Sequence, residues 1–368
     1  MIQRTLVALA LALAFVSCAS NPSGLDEDQT PRSRYSAESG ESAVGVIPEG
    51  FLRDETRGKD VPFTIEYPQR PGPHPLIIFS HGFGGSNRAY VGLSSYWASQ
   101  GYVVLKPGHA DAGKLTGSVQ DIWSSQTPAD WRNRVRDVTF FLDAKDALEQ
   151  KYPELVGKID WNKVGVGGHS YGAYTAMLAG GVRTFPGGTS YADPRIKAIV
   201  AMSPQGTGDV RGLTNESWAE LRIPAMFMTG TEDRGPAENE TPEWRRQAFE
   251  NSPAGEKWLI VIAGARHGTF TGRVDAPFQQ PTETTIPRMD DPTNPDPTRD
   301  PRRNPGIPST TQRGPAREGP GGLRQRGLFG TAKAISLMFW DTYLRNDQEG
   351  RTALEKAGER YGVEVVKK

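Results

Sequence analysis

The sequence predicts an α/β architecture, a mostly parallel central sheet with helices on both faces. Short apolar runs alternate with amphipathic segments along most of the 368-residue chain, which is the pattern of strand–helix–strand units. One of these runs, Pro75-Leu-Ile-Ile-Phe-Ser80, is apolar without alternation, as a strand buried on both faces is. A third sign is "KVGVGGHSYGAYTAM", in which the glycine-valine run from Lys163 meets Ser170 and gives way to a helical stretch.

Composition limits the alternatives. Apolar residues make up 36% of the chain, and 29 prolines with 42 glycines mean that part of it is not packed. Lysine plus arginine and aspartate plus glutamate both number 43, so no global field draws nucleic acid. Basic stripes interleaved with aromatics are absent, and no nucleic-acid partner is expected. At the start, Arg4 precedes the uncharged apolar run Leu6–Val16 and then Ser17-Cys18-Ala19-Ser20. That run is an export signal too short to span a bilayer. Cys18 is the only cysteine, so the folded chain forms no internal disulfide.

The elements follow in order. Residues 19–58 are polar and rich in serine, glutamate and proline, a composition that reads as a disordered tether. The alternating 61–67 ("VPFTIEY") and the buried run 75–80 are strands, and 88–100 is a helix stopped at Gly101. Residues 102–105 form a strand, and Asp130 caps a helical stretch to about Gln150 with Val135, Val138, Phe141 and Leu142 on one face. Strands are expected at 163–167, 196–202, 223–229 and 258–262, and helices at 171–179 and 242–250. Between Asp275 and Arg326 lie eleven prolines and eight arginines with hardly any large apolar side chain, so 275–326 reads as a disordered insert. Order returns with the amphipathic 328–344, which places the insert inside one domain at 59–348; 349–368 reads as a C-terminal tail.

Gly168-His169-Ser170-Tyr171-Gly172 lies between a strand and a helix, the context that lifts a serine hydroxyl above the carboxyl edge of a sheet. The structural alternative is a glycine-rich turn with a capping serine. Serine needs a base, and of the five histidines (74, 81, 109, 169 and 267) only His267 follows Ser170. The orienting acid belongs between them, after a strand. Asp233 in "PAMFMTGTEDRG" fits, with Glu232 and Asp209 as rivals. A second oxyanion donor beside the Tyr171 N–H is available from Phe83 in His81-Gly82-Phe83-Gly84-Gly85. No metal or other cofactor is expected, because His81 and His109 lack a second ligand at usable spacing. Trp123, in a loop, is a candidate for lining an acyl pocket.

The stretches "SHGFGGSNRAYVGLSSYWASQGYVVLKPGH", "DWRNRVRDVTFFLD", "VGVGGHSYGAYTAMLAG", "GTED" and "FWDTYLRND" resemble the α/β-hydrolase superfamily. Within it they resemble the dienelactone-hydrolase-like and platelet-activating-factor-acetylhydrolase-like esterases. The resemblance runs from about residue 61 to 348, the insert excluded. It implies the α/β-hydrolase fold, with Ser170 as nucleophile, His267 as base, Asp233 as acid, and the Phe83 and Tyr171 amides as oxyanion hole. Dienelactone hydrolases proper use a cysteine nucleophile, which this folded region lacks, so serine esterase chemistry is favoured. The insert after His267 departs from the pattern and has two readings, a solvated loop or a lid. Residues 1–18 resemble a bacterial lipoprotein signal, with Phe15 where leucine is usual. That implies lipidation of Cys18 and membrane attachment outside the cytoplasm; ordinary secretory cleavage is the alternative.

The expected activity is hydrolysis of a small-molecule or lipid-like carboxylic ester. A serine peptidase or amidase and a catalytically silent binding protein are the other readings. A histidine base must be neutral, and a free imidazole titrates near about 6.5. Ester turnover is therefore expected to fall below about pH 6 to 7; a pH–rate profile flat to pH 4 would remove histidine as the base.

Overall fold

The computed structural model describes residues 34–113, 127–185, 187–208, 211–235, 239–272 and 320–368. Among the described residues nine strands form one sheet: β1 (Val44–Asp54), β2 (Lys59–Pro68), β3 (His74–Ser80), β4 (Val103–Pro107), β5 (Ile159–His169), β6 (Ile196–Met202), β7 (Ala225–Glu232), β8 (Lys257–Arg266) and β9 (Glu364–Lys367). Their order is β1-β2-β4-β3-β5-β6-β7-β8-β9. The six strands from β4 to β8 in that order are parallel, and β1, β2 and β9 pair antiparallel at the two sides.

Side-chain alternation divides the core in two. Leu76 and Ile78 of β3, Val103 and Leu105 of β4, and Val164 and Val166 of β5 face one layer. That layer contains α2 (Pro128–Asp143) and α4 (Tyr171–Gly180). Ile77, Phe79 and Val104 face the other, against α1 (Val91–Ser99) and α6 (Pro320–Leu344). Between α1 and α6 the Trp97 and Trp340 rings meet edge to face at 6.1 Å. Trp340 also lies over Gly165, where a Cβ would come within 2.5 Å of its ring. Both faces are thus covered by helices. That is why the central strands carry runs of valine and isoleucine. Two further helices, α3 (Lys145–Lys151) and α5 (Pro242–Glu250), lie in the connections from β4 to β5 and from β7 to β8.

The structure corrects several boundaries. Residues 44–54 belong to β1, not to a tether, and Tyr35 is buried against α6 with its hydroxyl bonded to Asp341. Pro48 and Gly50 disguise the strand, because the β1–β2 register shifts between Ile47 and Gly50. A bulge on an edge strand tolerates both residues. The end of the chain is not a tail: α7 (Gln348–Glu355), α8 (Ala357–Tyr361) and β9 fold back, and β9 pairs with β8. Helix α6 starts at Pro320, inside the segment read as an insert, rather than at Leu328, since proline is accepted in a first helical turn. The cap of α2 is Thr127, whose side chain accepts from the Asp130 N–H while Asp130 bonds back, so Asp130 is the third residue of a capping box. Residues 1–33, with Cys18, lie outside the described residues, as do 114–126 with Trp123 and 273–319.

Val365 and Val366 of β9 pack into opposite core layers. Deleting residues 364–368 removes both contacts and uncovers the edge of β8, and is expected to lower the unfolding free energy by about 2–3 kcal/mol. Urea titration checks this, and an unchanged midpoint would mean that β9 contributes nothing.

Candidate active site

The strand order places the site. From β3 the chain goes to β4 on one side, then crosses to β5 on the other, so the winding reverses between β3 and β5. Crevices beyond the carboxyl ends at such a reversal are where open α/β sheets bind ligands. Ser80 and Gly168 are register partners, so the two strands end level. The loop after β3 carries Phe83, and the turn after β5 carries Ser170.

Ser170 has φ 55° and ψ −122°, a backbone strained for a residue with a Cβ. The turn is too tight for side chains on either flank. A Cβ on Gly168 would lie 2.1 Å from the Gly172 carbonyl oxygen, and one on Gly172 1.9 Å from that of Ser80. The Ser170 carbonyl accepts from the amides of Ala173 (2.8 Å) and Tyr174 (3.2 Å), which starts α4. In a planar trans peptide the C=O and N–H point opposite ways. The Tyr171 N–H, first of the helix, therefore points away from α4 beside the serine.

His267 opens a short 3-10 turn after β8. Its Nε2 is 3.0 Å from Ser170 Oγ and its Nδ1 2.9 Å from Asp233 Oδ1. Asp233 is fully buried, accepts from the Thr229 hydroxyl at 2.9 Å and pairs with Arg245 at 3.1 Å. Burial alone would raise its carboxyl. The Arg245 charge and the His267 hydrogen bond outweigh that and hold it well below the usual carboxylate range. An ionised Asp233 accepts a hydrogen bond from His267 Nδ1–H, which leaves Nε2 as the acceptor facing the serine hydroxyl. Glu232, the neighbouring rival, turns outward to Arg266 at 2.8 Å. Asp209 lies outside the described residues. Three further side chains that sequence reasoning did not single out support this loop. Arg245, from α5, also donates to the Ser203 and Pro204 carbonyls. Gln325, in the first turns of α6, binds the Thr269 hydroxyl and the Gly264 carbonyl beside the histidine turn. His169 is buried with its ring centre 4.7 Å from that of His267, and burial holds it uncharged, far below the usual imidazole range.

The Phe83 loop is fastened from below. The Phe83 and Tyr171 rings lie 6.1 Å apart. His81 Nδ1 donates to the Gly82 carbonyl at 2.7 Å, and its Nε2 accepts from the His109 N–H at 3.2 Å. Burial and nearby Arg134 keep both of these imidazoles neutral. Asp111 accepts the Gly84 N–H at 3.1 Å and pairs with Arg134 at 2.7 Å. Beneath them runs a second serine–histidine–aspartate line, Ser80 Oγ to His109 Nε2 and His109 Nδ1 to Asp137 Oδ2, both at 2.9 Å. All three of its side chains are buried, and Ser80 Oγ also accepts from Arg134.

Gly172→Ala forces a methyl group into the Ser80 carbonyl and is expected to cost about 3 kcal/mol or more. Gly327→Ala, in an exposed part of α6 with open space around it, serves as control and is expected to stabilise by up to about 1 kcal/mol. Chemical denaturation of the two variants side by side tests whether the elbow lacks room; equal melts would show that it does not.

A family model described as Chlorophyllase matches residues 40–204, a little under half of the chain. The match contains Phe83, Ser170 and Tyr171 and stops before Asp233 and His267. A Schizosaccharomyces pombe protein named "Putative phospholipase A2" is 33% identical over 86 residues, 23% of this chain and 19% of that protein. The chain thus spans about a fifth of that relative's length. The mostly parallel sheet, the strand–serine–helix turn at its switch point and the family match together give this chain the α/β-hydrolase fold.

Proposed function

We propose that the protein is a serine hydrolase that cleaves carboxylic esters through an acyl-enzyme. The observation that carries this is the unbroken hydrogen-bonded line Asp233–His267–Ser170, with the serine in a strained turn at the carboxyl edge of the sheet. His267 Nε2 takes the Ser170 proton as Oγ attacks the ester carbonyl. The oxyanion that forms lies between the Phe83 and Tyr171 amides. The imidazolium, steadied by ionised Asp233, gives its proton to the leaving alkoxide, and the alcohol departs. Water then repeats the sequence on the acyl-serine, which restores the free hydroxyl and releases the acid.

The hydrolase family match and the phospholipase name of the S. pombe relative favour esters, and lipid-like ones among them. The same proposal puts the enzyme outside the cytoplasm on a lipid anchor at Cys18, supported by the apolar run behind Arg4.

Hydrolysis of p-nitrophenyl esters from acetate to palmitate tests the reading. Ser170→Ala is expected to abolish turnover and labelling by a fluorophosphonate. Asp233→Asn is expected to lower kcat about 10⁴-fold by setting the wrong imidazole tautomer. Equal turnover in wild type and Ser170→Ala, or a folded wild type that takes no label, would overturn it.

A further inference from the structure

The Gly82–Phe83 peptide presents its carbonyl on one side and its N–H on the other. Three donors converge on that carbonyl: His81 Nδ1 at 2.7 Å, the Gly85 amide at 3.0 Å and Arg134 Nη2 at 3.4 Å. Arg134 is itself buried in α2, on the face that carries Trp131, Val135 and Val138. Its Nη1 donates to the His81 carbonyl at 2.8 Å and to Ser80 Oγ at 3.2 Å. Its Nε and Nη2 engage the two Asp111 oxygens at 3.0 and 2.7 Å, and one of those oxygens holds the Gly84 N–H. The guanidinium carbon lies 4.3 Å from the centre of the Tyr171 ring, above the residue that carries the other amide donor.

We propose that Arg134 is a positioning residue for the oxyanion hole, fixing the Gly82 carbonyl so that the Phe83 N–H on the opposite side of that peptide is aimed at the tetrahedral intermediate. This rests on the serine-hydrolase reading. One planar fork holds the carbonyls of two successive residues, carries the carboxylate that holds a third, and covers the ring beside the second donor. A lysine presents a single point charge and cannot span those acceptors. The buried Ser80–His109–Asp137 line completes the support. His109 donates its Nδ1–H to Asp137 and accepts from the Ser80 hydroxyl, whose oxygen accepts from Arg134. Asp137 is held in turn by Arg57 and Lys59, each at 2.7 Å.

The test compares wild type, Arg134→Lys and the double variant Asp111→Asn/Arg134→Gln, which leaves no buried charge unpaired. End-point labelling with a fluorophosphonate counts the competent sites, and kcat is expressed per labelled site. Both variants are expected to lose about 10- to 100-fold in kcat per site with KM changed less than about 3-fold, since only transition-state stabilisation is weakened. The labelling rate is expected to fall in parallel, because the phosphonyl oxygen needs the same donors. If Arg134 merely supported the fold, the melting temperature and the number of labelled sites would drop while kcat per site stayed at the wild-type value. That result in Arg134→Lys, which keeps the charge facing Asp111, overturns the proposal even if the double variant does not fold. A wild type without ester turnover or label removes the serine-hydrolase reading, and this proposal with it.

Discussion

At the carboxyl edge of the sheet, the main chain of Gly172 rests on the carbonyl of Ser80 with no space for a methyl group. That contact ties the end of β3 to the start of α4. It sets how far Ser170 stands from the loop that carries Phe83, and so whether one carbonyl carbon can meet the hydroxyl and two amides together. Close packing of backbone on backbone is stiff, because no rotamer can relieve it. The strain at Ser170, with φ 55°, is tolerable only because the two strands fix both flanks.

Two buried arginines do similar work on either side of this contact. Arg245 pairs with Asp233 and donates to the carbonyls of Ser203 and Pro204; Arg134 pairs with Asp111 and donates to those of His81 and Gly82. Each takes a carboxylate and the carbonyls of two successive loop residues in one planar group. Buried ion pairs add little net stability, since desolvation offsets most of the attraction. Their effect here is geometric: loops that leave the sheet without regular hydrogen bonding acquire a fixed direction. The histidines among these pairs, His81, His109 and His169, are kept uncharged by burial, so none adds a mobile charge next to His267.

What the sequence disclosed was mostly what is local. β3, β5 and β6 each hold an apolar or glycine-valine stretch, and α5 was legible from residue 242 to 250. Ser170 stood out because the glycines its turn requires are sequence neighbours, and His267 because chain order left no other histidine. The choice between Asp233 and Glu232 was not local. It depends on which carboxylate faces inward when β7 ends, and there Arg266 draws Glu232 outward. Arg134 and Asp111 left only a faint trace, an arginine on the apolar side of a helix, because their meaning lies in partners 23 residues apart. β1 was hidden by Pro48 and Gly50 at its bulge, and β9 by its four-residue length.

The domain holds two serine–histidine–aspartate lines with nearly the same spacings, one ending at Ser170 and one at Ser80. A template of distances alone would retrieve both and could not rank them. The difference lies in what else the serine oxygen does. At Ser80 one lone pair already accepts from a guanidinium and the hydroxyl is closed off from solvent, so an incoming carbonyl has no path to it. At Ser170 the turn keeps the oxygen out of its own helix and beside amides. Recognising such a site from coordinates is thus a question of accessibility and unspent valence, with triad distances serving only as the entry filter.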